Sequence, residues 1–326
     1  MPLVAAIDVG TASARAGIFD AAGTLLGRAE APLETREADG RAEQSSDQIW
    51  QAAAAALRAA RAEAGADPAE VAGLAFDATT SLVLLDAAAR PVSVSTGGDD
   101  RWNVIPWHDH RATPEADACT ATAHPALAGC AGAMHPEMPL PKLMWQKRAL
   151  PASWARAGLA LDLTDFLAFR ATGNPARSHC TLTCKWTWTP DAGWDQGFLA
   201  AIGLPDLVAR TGQPARATPI AADLGPLTAE AAASLGLTPA TRVAAGLIDA
   251  HAGALGVLGH LSPDAIETSA ALIAGTSSAV MAFSRTPRPA PGLWGPYPGG
   301  TLPGLWLTEG GQSASGALLD HVLRLH

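Results

Sequence analysis

Three short apolar segments open the chain, over residues 4–9, 15–19 and 25–29, and Gly-containing turns at 10–13 and 20–23 separate them. Short apolar runs bounded by turns in this way predict three antiparallel strands, as in a meander. Ser45 followed by Gln48 predicts a capped helix over residues 47–64, and Pro68 marks the entry to a strand over 71–77. A further hairpin is expected from 81–85 and 91–95, joined by 86–90, with a polar loop over 96–103. From 111 to 173 the pattern is mainly helical, punctuated by Pro141, Pro151 and Asp162, which reads as a helical insertion or cap. Helices near 195–202 and 229–235 precede an apolar strand over 242–248 that ends on Asp249. Strand patterns resume at 272–278, 280–284 and 305–308, followed by a helix over 312–325. The reading is α/β, with a boundary in the Gly-rich stretch near 256–263: a complete unit over 1–258 and a partial one over 259–326.

Composition narrows the partners. The chain has 326 residues, enough for two domains, with 48% hydrophobic and 16% charged residues, as in globular proteins. A net charge of −9 supplies no basic stripe for nucleic-acid phosphates or an anionic membrane, so neither partner is expected. Residues 1–6 run into a strand without a basic leader, and no apolar run reaches membrane-spanning length. Cys119, Cys130, Cys180 and Cys184 form no Cys-x-x-Cys pair and no spacing typical of zinc, so they read as reduced thiols of a cytoplasmic protein. His108 and His110 flank Asp109, but no His-x-x-x-His or His-Glu-x-x-His spacing supports zinc there either. The Gly-x-Ser-x-Gly elbow and the P-loop are both absent.

One internal similarity carries chemistry. Ile7-Asp8-Val9-Gly10-Thr11-Ala12-Ser13 and Ile273-Ala274-Gly275-Thr276-Ser277-Ser278 share a strand, a Gly-Thr turn and a Ser before a further apolar strand. Glycine admits an anion close to the backbone, and consecutive N–H groups with Thr or Ser hydroxyls donate to phosphate oxygens. Either hairpin alone is equally an ordinary β-turn; two copies are expected to face each other across a cleft and cradle phosphates. Asp249, at a strand end before the small residues Ala250, Ala252 and Gly253, is either a helix N-cap or a carboxylate open to a cleft.

These stretches resemble the two phosphate motifs of the actin-like ATPases. Further segments resemble, in order, those of the FGGY carbohydrate kinases: Glu43-Gln44, Trp107 to Arg111, Pro141 to Trp145, 162–173, Gly246 to His251 and Glu309 to Ser313. The resemblance implies a ribonuclease H-like fold and use of ATP and Mg2+. It makes Asp249 the general base and Asp8 the magnesium-orienting carboxylate, acting through water. Gly10, Thr11, Ser13, Gly275, Thr276 and Ser277 become the nucleotide contacts. Asp77, Ala78 and Thr79 stand where glycerol kinases grip a small triol with an Arg-Glu pair, which implies room for a longer polyol. Together with Lys185 and Glu309 as sugar contacts, this looks more like ribulokinases and ribitol kinases than glycerol or xylulose kinases. The implied reaction phosphorylates a pentulose or pentitol at a terminal hydroxyl; the alternative is a non-catalytic sugar-binding remnant. Lys185, Asp249 and Glu309 argue against a chaperone-type ATPase. Family members are usually about half as long again, so the chain as given is expected to bind ATP weakly and to show no useful kinase activity. Apolar Leu318, Leu319, Val322 and Leu323 are expected to favour self-association, a homodimer included.

Overall fold

The computed structural model describes every residue except Met1, Asp39, Thr276, Ser313 and His326. Strands β1 (Leu3–Val9), β2 (Ser13–Phe19) and β3 (Leu25–Pro32) form an antiparallel meander that buries Ala5, Ile7, Val9, Ala14, Ala16 and Ile18 on alternating positions. After β4 (Thr35–Ala38) and β5 (Arg41–Gln44) comes helix α1 (Ser46–Ala64), which packs on the meander. The Ser45 side chain accepts from the Gln48 N–H at 3.4 Å, while the Gln48 amide turns to the Pro32 carbonyl and the Glu34 N–H, so only half of a capping box forms. Gly65, at φ 62°, closes the helix in the left-handed region.

The chain then runs through β6 (Val71–Ala78), β7 (Leu82–Leu85), β8 (Val104–Ile105), α2 (Thr113–Ala121), α3 (Pro139–Ala149), α4 (Pro151–Arg156) and β9 (Leu159–Asp162). Helices α5 (Leu163–Thr172), α6 (His179–Lys185), α7 (Gln196–Ala201) and α8 (Leu207–Arg210) follow, then β10 (Asp223–Pro226), α9 (Ala229–Leu235), β11 (Arg242–Ala244) and β12 (Leu247–Ile248). The last part comprises α10 (Asp249–Leu258), α11 (Pro263–Glu267), β13 (Ala270–Ala274), β14 (Ser278–Ser284), β15 (Trp294–Pro298), β16 (Trp306–Gln312) and α12 (Gly316–Leu325). Among the described residues, no helix is long and apolar enough to cross a membrane.

The described residues form three sheets. The largest has seven strands in the order β10-β11-β6-β1-β2-β3, with β12 also on β6; a second runs β4-β5-β8-β7-β9, and a third β13-β14-β16-β15. In the first, β1 and β12 both lie parallel to β6, with Asp8 opposite Asp77 and Leu247 opposite Asp77. Three strand ends carrying carboxylates therefore emerge side by side. The core next to the third sheet mixes Cys180 and Cys184 of α6, Leu247 and Ile248 of β12 and Ala254 of α10 with Met281, Phe283 and Leu307 of that sheet, which ties it to the rest.

Several expectations fail for local reasons. Residues 91–95 make no strand: Pro91 forms one bridge to Leu85, and the Ser93 and Ser95 N–H groups go to the Asp100 carboxylate and the Ser93 hydroxyl instead of to a ladder. The apolar run at β9 sits inside the stretch read as helical; all but its first residue is buried, and periodicity cannot sort so short a run. The strand expected over 242–248 divides, because the Ala245 N–H turns away to the Ala222 carbonyl. The final helix begins at Gly316 rather than 312, since Glu309–Gln312 belongs to β16. On α12, Leu318, Leu319, Val322, Leu323 and Leu325 are exposed.

Candidate functional site

Asp8 is the last residue but one of β1, Asp77 lies opposite it on β6, and Asp249 follows β12 as the first residue of α10. Parallel pairing thus brings the three carboxyls together on one sheet. Burial, then the neighbouring charges of Asp8 and Asp249, push the Asp77 carboxyl up to about 9, so at neutral pH it is protonated and shares a hydrogen bond with Asp8. Burial also raises Asp8, against the pull of the Arg15 guanidinium, whose Nε lies 3.3 Å from the carboxylate. Asp249 is raised by burial, partly offset by the Ala250 N–H that its Oδ1 accepts at 2.7 Å.

A buried ionic network lies beside this cluster. Lys185, at the end of α6, donates to Glu309 Oε1 at 2.8 Å, and its ammonium stands 4.4 Å from the ring centre of Trp294. His251, on the first turn of α10, places Nε2 3.3 Å from Glu309 Oε2 and Nδ1 2.9 Å from the Thr301 hydroxyl. Burial opposes the charge of Glu309, yet Lys185 and His251 hold its carboxyl well below the usual range. The same network sets Lys185 above its ordinary value despite its burial. Nearby, the Tyr297 hydroxyl and the Thr183 hydroxyl are buried without a hydrogen-bond partner among the described residues.

The first Gly-Thr turn is closed by the Gly10 N–H donating to the Ser13 carbonyl at 3.0 Å, and among the described residues the N–H groups of Thr11 and Ala12 take no protein partner. Thr11 is held in place by the Trp107 indole N–H, 3.0 Å from its hydroxyl. In the second turn the Gly275 N–H donates to the Ser277 carbonyl at 2.8 Å, and a Cβ on Gly275 would meet nothing closer than that same oxygen, at 3.8 Å. Thr276 lies outside the described residues. Lys142, wholly buried, donates to the Pro106 and Trp107 carbonyls and so fixes the loop that carries Trp107; burial pushes its pKa down to about 7.

Of the residues singled out from sequence, the structure joins Asp8, Asp77 and Asp249, and separately Lys185 with Glu309. Thr79 is buried and bonds the Ser81 hydroxyl at 3.0 Å. Ala78 is wholly buried in the main core, so its side chain faces no cleft. Arg15, His251, Thr301 and Trp294 went unremarked. His251 stood within a quoted segment two residues after Asp249, a local signal; Trp294 and Thr301 lie in loops or short strands with no pattern to flag them. An open depression elsewhere, lined by Glu34, Arg90, Asp100, Arg101 and Arg156, is occupied by ion pairs that neutralise one another and includes none of the carboxylates above.

Comparisons with known proteins follow the same outline. Residues 3–256 match the N-terminal domain of the FGGY family of carbohydrate kinases and residues 270–326 its C-terminal domain. The chain is 48% identical over 334 residues to the FGGY carbohydrate kinase domain-containing protein of Danio rerio, covering 98% of this chain and 61% of that protein. It is 36% identical over 354 residues to the D-ribulokinase of Saccharomyces cerevisiae, covering 98% of this chain and 49% of the yeast protein. Among solved structures, xylulose kinase from Rhodospirillum rubrum superposes with a TM-score of 0.80 at 23% identity, covering 99% of this chain and 63% of that one. The chain thus spans about three fifths of the length of the first curated relatives it matches.

Proposed function

Because the chain belongs to the FGGY family of carbohydrate kinases and has the α/β, actin-like fold of the solved sugar kinases, we propose that it carries the sugar-handling part of an ATP-dependent kinase acting on a pentulose or pentitol. The carrying observation is the cluster of Asp8, Asp77 and Asp249 on adjacent parallel strands, with the Lys185–Glu309 pair beside it. In this proposal the first unit runs to residue 258 and the second from 259.

In this reading Asp249 is the general base. A carboxylate raised by burial accepts a proton more readily than an exposed one. The terminal sugar oxygen attacks the γ-phosphorus, its proton passes to Asp249, and the bond from that phosphorus to the bridging oxygen breaks to release ADP. The donor set fits magnesium: hard carboxyl oxygens crowded enough to keep Asp77 protonated are relieved by a divalent cation. Asp8 would hold that ion through water, and the ion would supply charge neutralisation on the polyphosphate. The free N–H groups of Thr11 and Ala12, with the hydroxyls of Thr11 and Ser13, would donate to phosphate oxygens, and the Gly275–Ser277 turn would do the same from the third sheet.

Lys185 and Glu309 offer a sugar both a donor and an acceptor, pre-positioned by their mutual hydrogen bond and by Trp294. Asp77 and Thr79 lie at the same strand end. The name of the yeast relative supports ribulose or its polyol, ribitol, as the first choice. Calorimetric titration with ribulose, ribitol, xylulose and glycerol is the test. Tighter binding of ribulose or ribitol than of the other two is expected, and a clear preference for glycerol or xylulose would overturn the substrate assignment.

A further inference from the structure

Outside the carboxylate cluster, one group of side chains has the composition of a soft-metal centre. Cys180 and Cys184, one turn apart on α6, and His251 on α10 bring two sulfurs and a ring nitrogen within 4.8 Å of one another, all three residues buried. The sequence spacing did not suggest this, because the third donor comes from a different helix.

The distances match coordination chemistry. Tetrahedral zinc with bonds of about 2.3 Å to sulfur and about 2.0 Å to nitrogen sets those two atoms about 3.5 Å apart. Cys180 Sγ and His251 Nδ1 are 3.4 Å apart. Beyond it, the other ring nitrogen of His251 makes no hydrogen bond among the described residues but lies within ion-pair distance of Glu309 Oε2, at 3.3 Å, on the side where a carboxylate orients metal-bound histidines. Glu309 is itself held by Lys185. On the remaining side the Thr301 hydroxyl lies 2.9 Å from Nδ1 and provides an oxygen. Gly300 lets the chain lie over the group, since a Cβ there would stand 2.8 Å from Cys184 Sγ.

We propose that Cys180, Cys184 and His251 form a binding site for a thiophilic divalent cation, zinc(II) first. Binding releases two protons to solvent, that of the Cys184 thiol and the one shared between Cys180 and His251, leaves the imidazole neutral and involves no change of oxidation state. Two thiolates then balance the ion's charge, so nothing unpaired is buried. The ion would pin α6 to α10 directly behind Asp249. This assignment does not depend on the kinase reading.

The test is titration of the chain with cobalt(II) as a spectroscopic probe and with zinc(II), followed by zinc-edge X-ray absorption. One tight equivalent is expected, with a thiolate-to-cobalt charge-transfer band and a first zinc shell containing two sulfurs. Cys180→Ser and Cys184→Ser should each weaken binding by about 10²-fold or more, given that even outer-shell changes cost 10–100-fold. Cys119→Ser, which alters a buried thiol outside the group, should leave it unchanged. The absorption measurement needs no variant, so misfolding of a mutant does not blunt it. A shell of oxygen and nitrogen only would place the metal on the carboxylates and overturn the proposal. So would absence of the charge-transfer band, or equal binding by the double Cys→Ser variant.

Discussion

Glu309→Gln keeps the shape of the side chain and removes the one negative charge shared by two buried cationic groups. Lys185 and Glu309 expose 11% and 8% of their side chains, so water screens little of the pair. Removing one partner of such a pair costs about 3–5 kcal/mol, most of it the penalty of the charge left behind. Unfolding entropy of about 2.1 cal/mol/K per residue gives about 0.7 kcal/mol/K for this chain. A loss of 4 kcal/mol then lowers Tm by about 6 °C. Lys185→Met should cost less, because His251 still faces the carboxylate. The double variant should cost less than the sum of the two, with a coupling of about 0.5–3 kcal/mol. The Glu309 carboxyl is held below its ordinary value of 4.5, so its stabilisation is intact above that value and is lost as pH falls below it. The gap between wild type and Glu309→Gln should therefore close in acid. Thermal and urea melts by circular dichroism at neutral and acid pH provide the assay. Additive single variants, or a Glu309→Gln cost below about 0.5 kcal/mol, would show that the pair is not the buried charge centre described.

Asp77→Asn replaces a carboxyl already protonated at neutral pH. Because the folded value of about 9 lies above the ordinary 3.8, Asp77 detracts from wild-type stability increasingly as pH rises between them, so the variant should gain in Tm relative to wild type over that interval; parallel melting profiles would contradict the cluster. Gly27→Ala places a Cβ 2.6 Å from the Ala64 nitrogen, where β3 meets α1, and should destabilise by about 1–3 kcal/mol in urea melts; an unchanged midpoint would mean that contact is looser than described. Since Asp249 is raised by burial, kcat/KM should decline as pH falls through that raised value, and a flat acid limb would count against its role as base.

The meander, α1 and β6 were legible because each is an apolar run or helix pattern bounded by a turn, a capping residue or a proline. The β4–β5 pair was not: Thr35–Ala38 is exposed or half-buried and reads as polar loop. The carboxylates could be named from strand ends, but their shared sheet could not, since parallel pairing of β1, β6 and β12 is a long-range choice that no local pattern records. Lys185 and Glu309 were both picked out, yet their direct bond spans 124 positions and emerges only from packing. Ala78 shows the opposite error, a small residue assigned to a cleft that the alternation of β6 points into the core. His251 was visible as a residue and invisible as a hub, because its partners Cys180, Thr301 and Glu309 come from three separate segments.

The central claim is that Asp249 takes the proton from a sugar hydroxyl within the carboxylate cluster. Its most direct test is Asp249→Asn, with sugar-dependent ADP release and sugar affinity measured side by side, on a form carried to the length of the curated relatives. The account predicts a fall in kcat on the order of 10²-fold or more with sugar affinity largely retained. Near-normal turnover in the variant would contradict it.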